Sequence, residues 1–399
     1  MKNRKLIFIQ MLLLAGLSSS LFTPASAKQH NHFDLYHNLT WNIEAIDVHG
    51  AWEITNGSNN VTIAVIDSGI DFSLSNFNDS QWTNPLEIAN NSIDDDGNGY
   101  VDDTNGWDFV FEDNKPFNDR NHWHGSYVAS FVKAVAPNVS IMDLRILDRY
   151  NSFNGSFWPQ IVRAVEYSVN MSADVIQLSI WNYGISPLSF RNALKDALDK
   201  GVIIVGITGN TGDDPGTSGV LYPGKFSEVI ATGSISSSLR VSYFSRRGPE
   251  TEICAPGGDL PSIGGLSGSG TSFAAPHVSG CIALMKTINQ SLTPEDIRRI
   301  LAKTSTDLGT PGRDDVYGYG LLNVTNAVRG AAGMQTWNLT KDIIPTTGTT
   351  ETTKSTSTFT QSSEKISSSH STSSAQTSSL LILEVLLITL ILVRRKKSR

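Results

Sequence analysis

The sequence predicts an α/β fold, a three-layer doubly wound domain on a mostly parallel sheet, and three observations carry that prediction. Apolar, β-branched runs at 61–66 (VTIAVI), 139–147 (VSIMDLRIL), 174–180 (DVIQLSI) and 202–207 (VIIVGI) are hydrophobic on both faces, as strands covered on two sides must be. Stretches of helical period separate them. Caps and stops punctuate the transitions. In sheets of this kind ligands gather at the carboxyl ends of the strands.

VTIAVI runs directly into Asp67, and Asp-Ser-Gly at 67–69 closes that strand with a turn. Asp71 lies past the turn and is expected to face solvent. HGSYVASFVKAVAP reads as a helix that starts at His124 and buries Val128, Phe131, Val132 and Val135. His122 falls outside it, beside Trp123. FWPQIVRAVEYSV (157–169) sets Ile161, Val165 and Val169 on one face, and FRNALKDALDKG (190–201) stops at Gly201. TPEDIRRILAKT opens on Thr293 as N-cap with Pro294 in the first turn. In GTSFAAPHVSG (270–280), Ser272 begins a helix whose Ala274, Ala275 and Gly280 allow close packing. Pro276 is expected to lack only an N–H without a helical partner. His277 reads as a satisfied core histidine. A hydroxyl at a helix N-terminus also sits where backbone N–H groups can receive an oxyanion.

The two ends differ from this globular body, residues 28–332. Lys2, Arg4 and Lys5, the run LIFIQMLLLAGL and ASA at 25–27 compose an export signal over 1–27. Residues 333–379 are dominated by Ser and Thr and read as a linker or stalk. LLILEVLLITLILV at 380–393 followed by the basic 394–399 has the pattern of a transmembrane anchor with a cytoplasmic tail. Fourteen helical residues at ~1.5 Å each cover only about two thirds of a ~30 Å bilayer core, and Glu384 adds a cost of ~3 kcal/mol. The same run also fits a sorting tail that is exchanged for another anchor. Asn-x-Ser/Thr triplets at Asn38, Asn78, Asn154 and Asn289 suit a glycosylated chain at the cell surface. A net charge of −7 gives no reason to expect nucleic acid as a partner, and a monomer is expected. Two cysteines, Cys254 and Cys281, exclude a disulfide-built scaffold and leave one bridge or two buried thiols open.

The segments around Asp67, His124 and Ser272, in that order, resemble the three signature blocks of the subtilisin-like serine proteases, the subtilases. ITGNTG (207–212) resembles the block that supplies the family's oxyanion asparagine, here Asn210. YPGKFSEVIATGSI, FSRRGPE with CAPG, and GYGLLNV resemble further family segments in the expected sequence. His124, and not His122, falls on the family's histidine. The resemblance implies a serine endopeptidase acting on proteins or peptides. Ser272 would attack the carbonyl, His124 would carry the proton, Asp67 would orient the imidazole, and Asn210 with the Ser272 N–H would bind the oxyanion. Ser179, Ile180, Trp181 and Gly209 would line the substrate cleft.

DDDGNGYVDD (94–103) crowds five carboxylates into ten residues, which repel one another unless a cation neutralises them. Its Asp94-x-Asp96-x-Asn98-Gly99 spacing matches the first half of an oxygen-ligand calcium loop. Asp94, Asp96, Asn98, a Tyr100 carbonyl and Asp103 are the candidate ligands of a structural calcium ion.

The chain departs from the family pattern in three ways. Ser126, Tyr127 and Ser130 replace the usual Thr, His and Gly. Trp181 and Asn182 take the place of two cleft glycines, which predicts narrow specificity. Few residues separate the export signal from the body, leaving no room there for a folding propeptide. A catalytically weak or inactive peptide-binding surface module is the alternative these departures raise.

Overall fold

Runs of Val, Ile and Leu that no polar face interrupts belong between two layers, and that is where they lie. The computed structural model describes residues 40–74, 77, 79–117, 123–148, 157–182, 187–212, 219–263 and 265–333. Among the described residues seven strands form one sheet: β1 (Thr62–Asp67), β2 (Gly106–Asp108), β3 (Ser140–Arg145), β4 (Val175–Leu178), β5 (Ile203–Ile207), β6 (Ile230–Ile235) and β7 (Thr251–Pro256). Their order is β2-β3-β1-β4-β5-β6-β7, and every ladder is parallel.

Along β1, β3, β4 and β5 alternate residues feed two separate cores. In β1, Ile63 and Val65 enter one and Ala64 and Ile66 the other. The first core lies under helices α1 (Thr40–Ala45), α2 (Val48–Trp52), α3 (His124–Val135), α6 (Thr271–Ile288), α7 (Pro294–Thr304) and α8 (Val324–Ala331). The second lies under α4 (Phe157–Asn170) and α5 (Leu188–Asp199). Thr293 caps α7 as expected: its hydroxyl accepts from the Asp296 N–H at 3.1 Å while the Asp296 carboxylate accepts from the Thr293 N–H at 3.2 Å.

Helix α6 crosses β4 to β7 and is buried from Thr271 to Lys286. It meets α3 so closely that a Cβ on Gly280 would stand 2.8 Å from the Val135 Cβ. Cys254 and Cys281 are both free and buried, with no bridge between them, and burial raises both thiols above their usual range.

The sheet order reverses at β1, which lies between β3 and β4, so the chain crosses over it from one to the other. That reversal opens a crevice at the carboxyl ends of β1 and β4. Asp67 is the last residue of β1, and Ser179 follows the end of β4.

The export signal, the anchor run at 380–393, the basic tail, all of the linker but its first residue, and His122, Asn38, Asn78 and Asn154 lie outside the described residues. No helix among the described residues is long and apolar enough to cross a membrane.

Candidate active site

Strand β1 delivers Asp67, 1% exposed, to the crevice. Its Oδ1 accepts from the Ser68 N–H at 2.7 Å and lies 2.7 Å from His124 Nδ1. A carboxylate only accepts, so Nδ1 carries the hydrogen and Nε2 is left to act as a base. Helix α3 begins at His124 itself, which puts the imidazole at the helix mouth. The Gly125 N–H donates to Ser68 Oγ at 3.0 Å, and a Cβ at Gly125 would stand 2.5 Å from the Gly69 carbonyl oxygen. Only glycine lets the β1 turn and the helix approach this closely. Burial works against a charged His124, but the Asp67 charge and hydrogen bond outweigh it and raise the imidazole above its ordinary value.

The three replaced residues of this block all find partners. Ser126 Oγ accepts from the Asp71 N–H at 2.9 Å, Tyr127 donates to the Pro261 carbonyl at 2.8 Å, and Ser130 donates to the Ser126 carbonyl at 2.8 Å. Asp71 is part-buried, and its carboxylate accepts from the Ser73 N–H and hydroxyl.

Ser272 is the second residue of α6 and is 5% exposed. Its hydroxyl donates to the Ser179 carbonyl at 3.3 Å, and no hydrogen bond joins it to the imidazole. The neighbouring Phe273 ring lies 5.4 Å from that of His124. Hydrogen bonds of a catalytic group commonly tighten only when substrate arrives.

Pro276 corrects the sequence expectation. It lies past the first turn of α6, where an ordinary residue would donate its N–H to the Ser272 carbonyl. That carbonyl instead accepts from Ser179 Oγ at 2.6 Å. Ser179 Oγ accepts from Gln177 Nε2 at 2.9 Å, and Gln177 Oε1 accepts from Ser279 at 2.5 Å. A buried polar chain thus supplies what the proline withholds.

Asn210 follows β5. Its Oδ1 accepts from the Thr271 N–H at 2.8 Å and hydroxyl at 2.7 Å, which leaves Nδ2 free to donate beside the N-terminus of α6. An anion at this spot would meet the Asn210 amide and the Ser272 N–H, since the Thr271 N–H is given to Asn210 and the Phe273 N–H to the Gly270 carbonyl. The Gly209 carbonyl accepts from the Arg246 N–H at 3.1 Å. Ile180 is buried, and Trp181 packs part-buried against the first core.

In the acidic loop, Asp96 and Asp103 converge with Glu87, their oxygens lying within 4.8 Å of one another. Asp94 stands outside this group, accepting from the N–H groups of Asn98 at 3.0 Å and Gly99 at 2.8 Å. Asn98 directs its amide at Asp96 and Asp103, and the Tyr100 ring packs edge-on to Trp107, Phe109 and Tyr167. Burial, with repulsion from neighbouring carboxylates, raises Glu87 and Asp103 above the usual carboxylate range. Oε2 of Glu87 is buried without a partner. Glu87 escaped the sequence reading because it precedes the Asp-x-Asp-x-Asn stretch; only its nearness in sequence could have suggested it.

Residues 58–320 match the model of the subtilase family. The chain is 34% identical over 236 residues to Subtilisin DY of Bacillus licheniformis, covering 55% of this chain and 82% of that one. The chain belongs to the subtilase family. As a subtilase it is a serine endopeptidase. It is also similar to Subtilisin E of Bacillus subtilis, 31% identical over 68% of this chain and 66% of the relative, so it spans about two thirds of that protein's length. Another relative is the Minor extracellular protease Epr of the same species, 30% identical over 71% of this chain and 40% of Epr. A solved structure of a lanthipeptide protease has a similar fold, with a TM-score of 0.59, 24% identity and coverage of 74% of this chain and 95% of that one.

Proposed function

We propose that this subtilase hydrolyses peptide bonds through an acyl-enzyme on Ser272. The observation that carries the reading is the 2.7 Å contact between buried Asp67 and His124 at the mouth of α3, with the ring of Phe273, the residue after Ser272 in α6, 5.4 Å from the imidazole. His124 Nε2 takes the Ser272 proton as Oγ attacks the carbonyl, and Asp67 holds the resulting imidazolium. Asn210 Nδ2 and the Ser272 N–H receive the oxyanion. His124 then gives its proton to the leaving amine, and water repeats the cycle on the ester. Replacing Ser272 by Ala should cut peptide turnover by about 10⁶-fold, and replacing Asn210 by Ala by about 10²–10³-fold, magnitudes set by a subtilisin and not calculated from this geometry. Turnover that survives Ser272→Ala sinks the assignment.

In this reading Ser179, Ile180, Trp181 and Gly209 line the substrate cleft, the first three on its acyl side. Trp181 in place of glycine favours narrow selectivity there, and Trp181→Gly should broaden a cleavage profile. The Ser272 hydroxyl turned toward the Ser179 carbonyl adds a structural observation to the sequence departures that favour the binding-only alternative.

The acidic loop is a calcium site in this reading. Glu87, Asp96 and Asp103 are the groups that would hold the ion, and the partnerless oxygen of Glu87 suits an oxygen-seeking cation. Bound calcium would neutralise the loop and stabilise the fold without entering the chemistry. Export through residues 1–27 and tethering through 380–393 complete the proposal: a surface protease with its body outside the membrane. Surface biotinylation of cells expressing the full chain tests this part.

A further inference from the structure

We propose that Trp123 and Phe273 form an aromatic platform on the leaving-group side of the site. It selects substrates with an aromatic or large apolar side chain immediately after the scissile bond. The inference deepens, and rests on, the reading of Ser272 as nucleophile.

Trp123 is 38% exposed, while the rings it packs on, Tyr127 and Phe273, are 0% and 3% exposed. Its indole lies 6.3 Å from Phe273 with 26° between the planes, so it extends that ring outward as a second stacked layer. Phe273 directly follows Ser272. The platform therefore shares the start of α6 with the attacking residue and runs along His124, whose ring is 6.4 Å from Trp123 and 5.4 Å from Phe273.

The platform is held rigidly. Tyr127 meets Phe273 edge-on at 4.6 Å and Trp123 at 5.8 Å, and its hydroxyl is tied to the Pro261 carbonyl. On the far side, a Cβ at Gly268 would stand 3.0 Å from Phe273 and 3.2 Å from Trp123, so backbone closes that edge. A fixed aromatic face with one open side loses little entropy when a second apolar group covers it.

Proton transfer decides which part of the substrate lies here. The leaving nitrogen must receive its proton from His124, so the segment it carries departs along the histidine. The acyl segment lies toward Ser179, Ile180 and Trp181, next to the carbonyl that accepts from Ser272. Trp123 and Phe273 pack around the His124 ring, so the first side chain of a segment leaving along the histidine would meet them.

Partitioning of the acyl-enzyme isolates that side. The enzyme is acylated with a peptide ester and offered phenylalaninamide or glycinamide in competition with water. The amine nitrogen attacks the Ser272 ester and forms a peptide bond. The bond from the acyl carbon to Oγ breaks, and the amine's proton returns to Oγ through His124. Wild-type enzyme should capture phenylalaninamide about tenfold more efficiently than glycinamide. Trp123→Ser should erase that ratio and Trp123→Phe should keep most of it. Equal capture of the two amines by wild type, or an unchanged ratio in Trp123→Ser, overturns the platform while leaving Ser272 as nucleophile. A wild-type enzyme that forms no acyl-enzyme overturns both.

Discussion

The Ser272 carbonyl accepts the Ser179 hydroxyl hydrogen at 2.6 Å, occupying the place in α6 that Pro276 cannot fill. The peptide unit of the proposed nucleophile is thereby anchored to the end of β4, beside the proposed substrate cleft. Removing Ser179 Oγ leaves the carbonyl and Gln177 Nε2 buried without partners. We expect Ser179→Ala to lose about 1–3 kcal/mol of stability by denaturant unfolding. Adding Pro276→Ala, which restores a backbone donor, should recover part of that loss. Simple additivity of the two changes would show that the carbonyl does not couple them.

The acid limb of kcat/KM should report His124. Its imidazole is raised above its ordinary value of 6.5, so the base form, and activity with it, should appear as pH rises through a value above that. Asp67→Asn removes the charge that holds the proton. The limb should move to lower pH, and kcat should fall about 10⁴-fold, the size found on neutralising this carboxylate in another serine protease. A pH–rate profile of both enzymes checks the direction and the size.

Much of this site was legible because each chemical group sits in its own short segment: a strand running into Asp67, a helix starting on His124, another starting beside Ser272. Such segments declare themselves locally through burial pattern and caps. What was missed depends on contacts between distant segments. Gln177 and Ser279 look like ordinary residues of a strand and a helix until the fold places them against each other. Glu87 joins Asp96 and Asp103 only because the chain folds back through Asn84, which donates to both aspartates. Strand β2, three residues long, carries too little pattern to be read. β6 lies within YPGKFSEVIATGSI and β7 ends within CAPG, segments that carry the resemblance and are not read as strands from their pattern.

Chelation should destabilise the fold without altering the chemistry. At calcium near 100 times its Kd, bound ion contributes about 2.7 kcal/mol, equivalent to about 5–10 °C in Tm. Adding EGTA should lower Tm by that order, and Glu87→Gln should shrink the difference. Equal Tm values with and without EGTA in wild type would remove calcium from the account.

His277 makes stability depend on acid. Burial lowers its imidazole to about 4, with Nδ1 donating to the Phe273 carbonyl at 2.8 Å and Nε2 accepting from Asn42 at 3.1 Å. The unfolded chain binds a proton at this side chain below about 6.5 while the folded chain refuses it until about 4. Stability should therefore fall as pH drops through that window, by about 3 kcal/mol in all. His277→Gln should flatten the dependence in urea titrations at stepped pH.

The measurement closest to the central claim is covalent labelling by a fluorophosphonate, read by peptide mass mapping. A triad in working order predicts one adduct, on Ser272, formed quickly by the wild type and slowed by orders of magnitude in His124→Ala. Folded wild-type protein that stays unlabelled, or that carries its adduct on another residue, would contradict it.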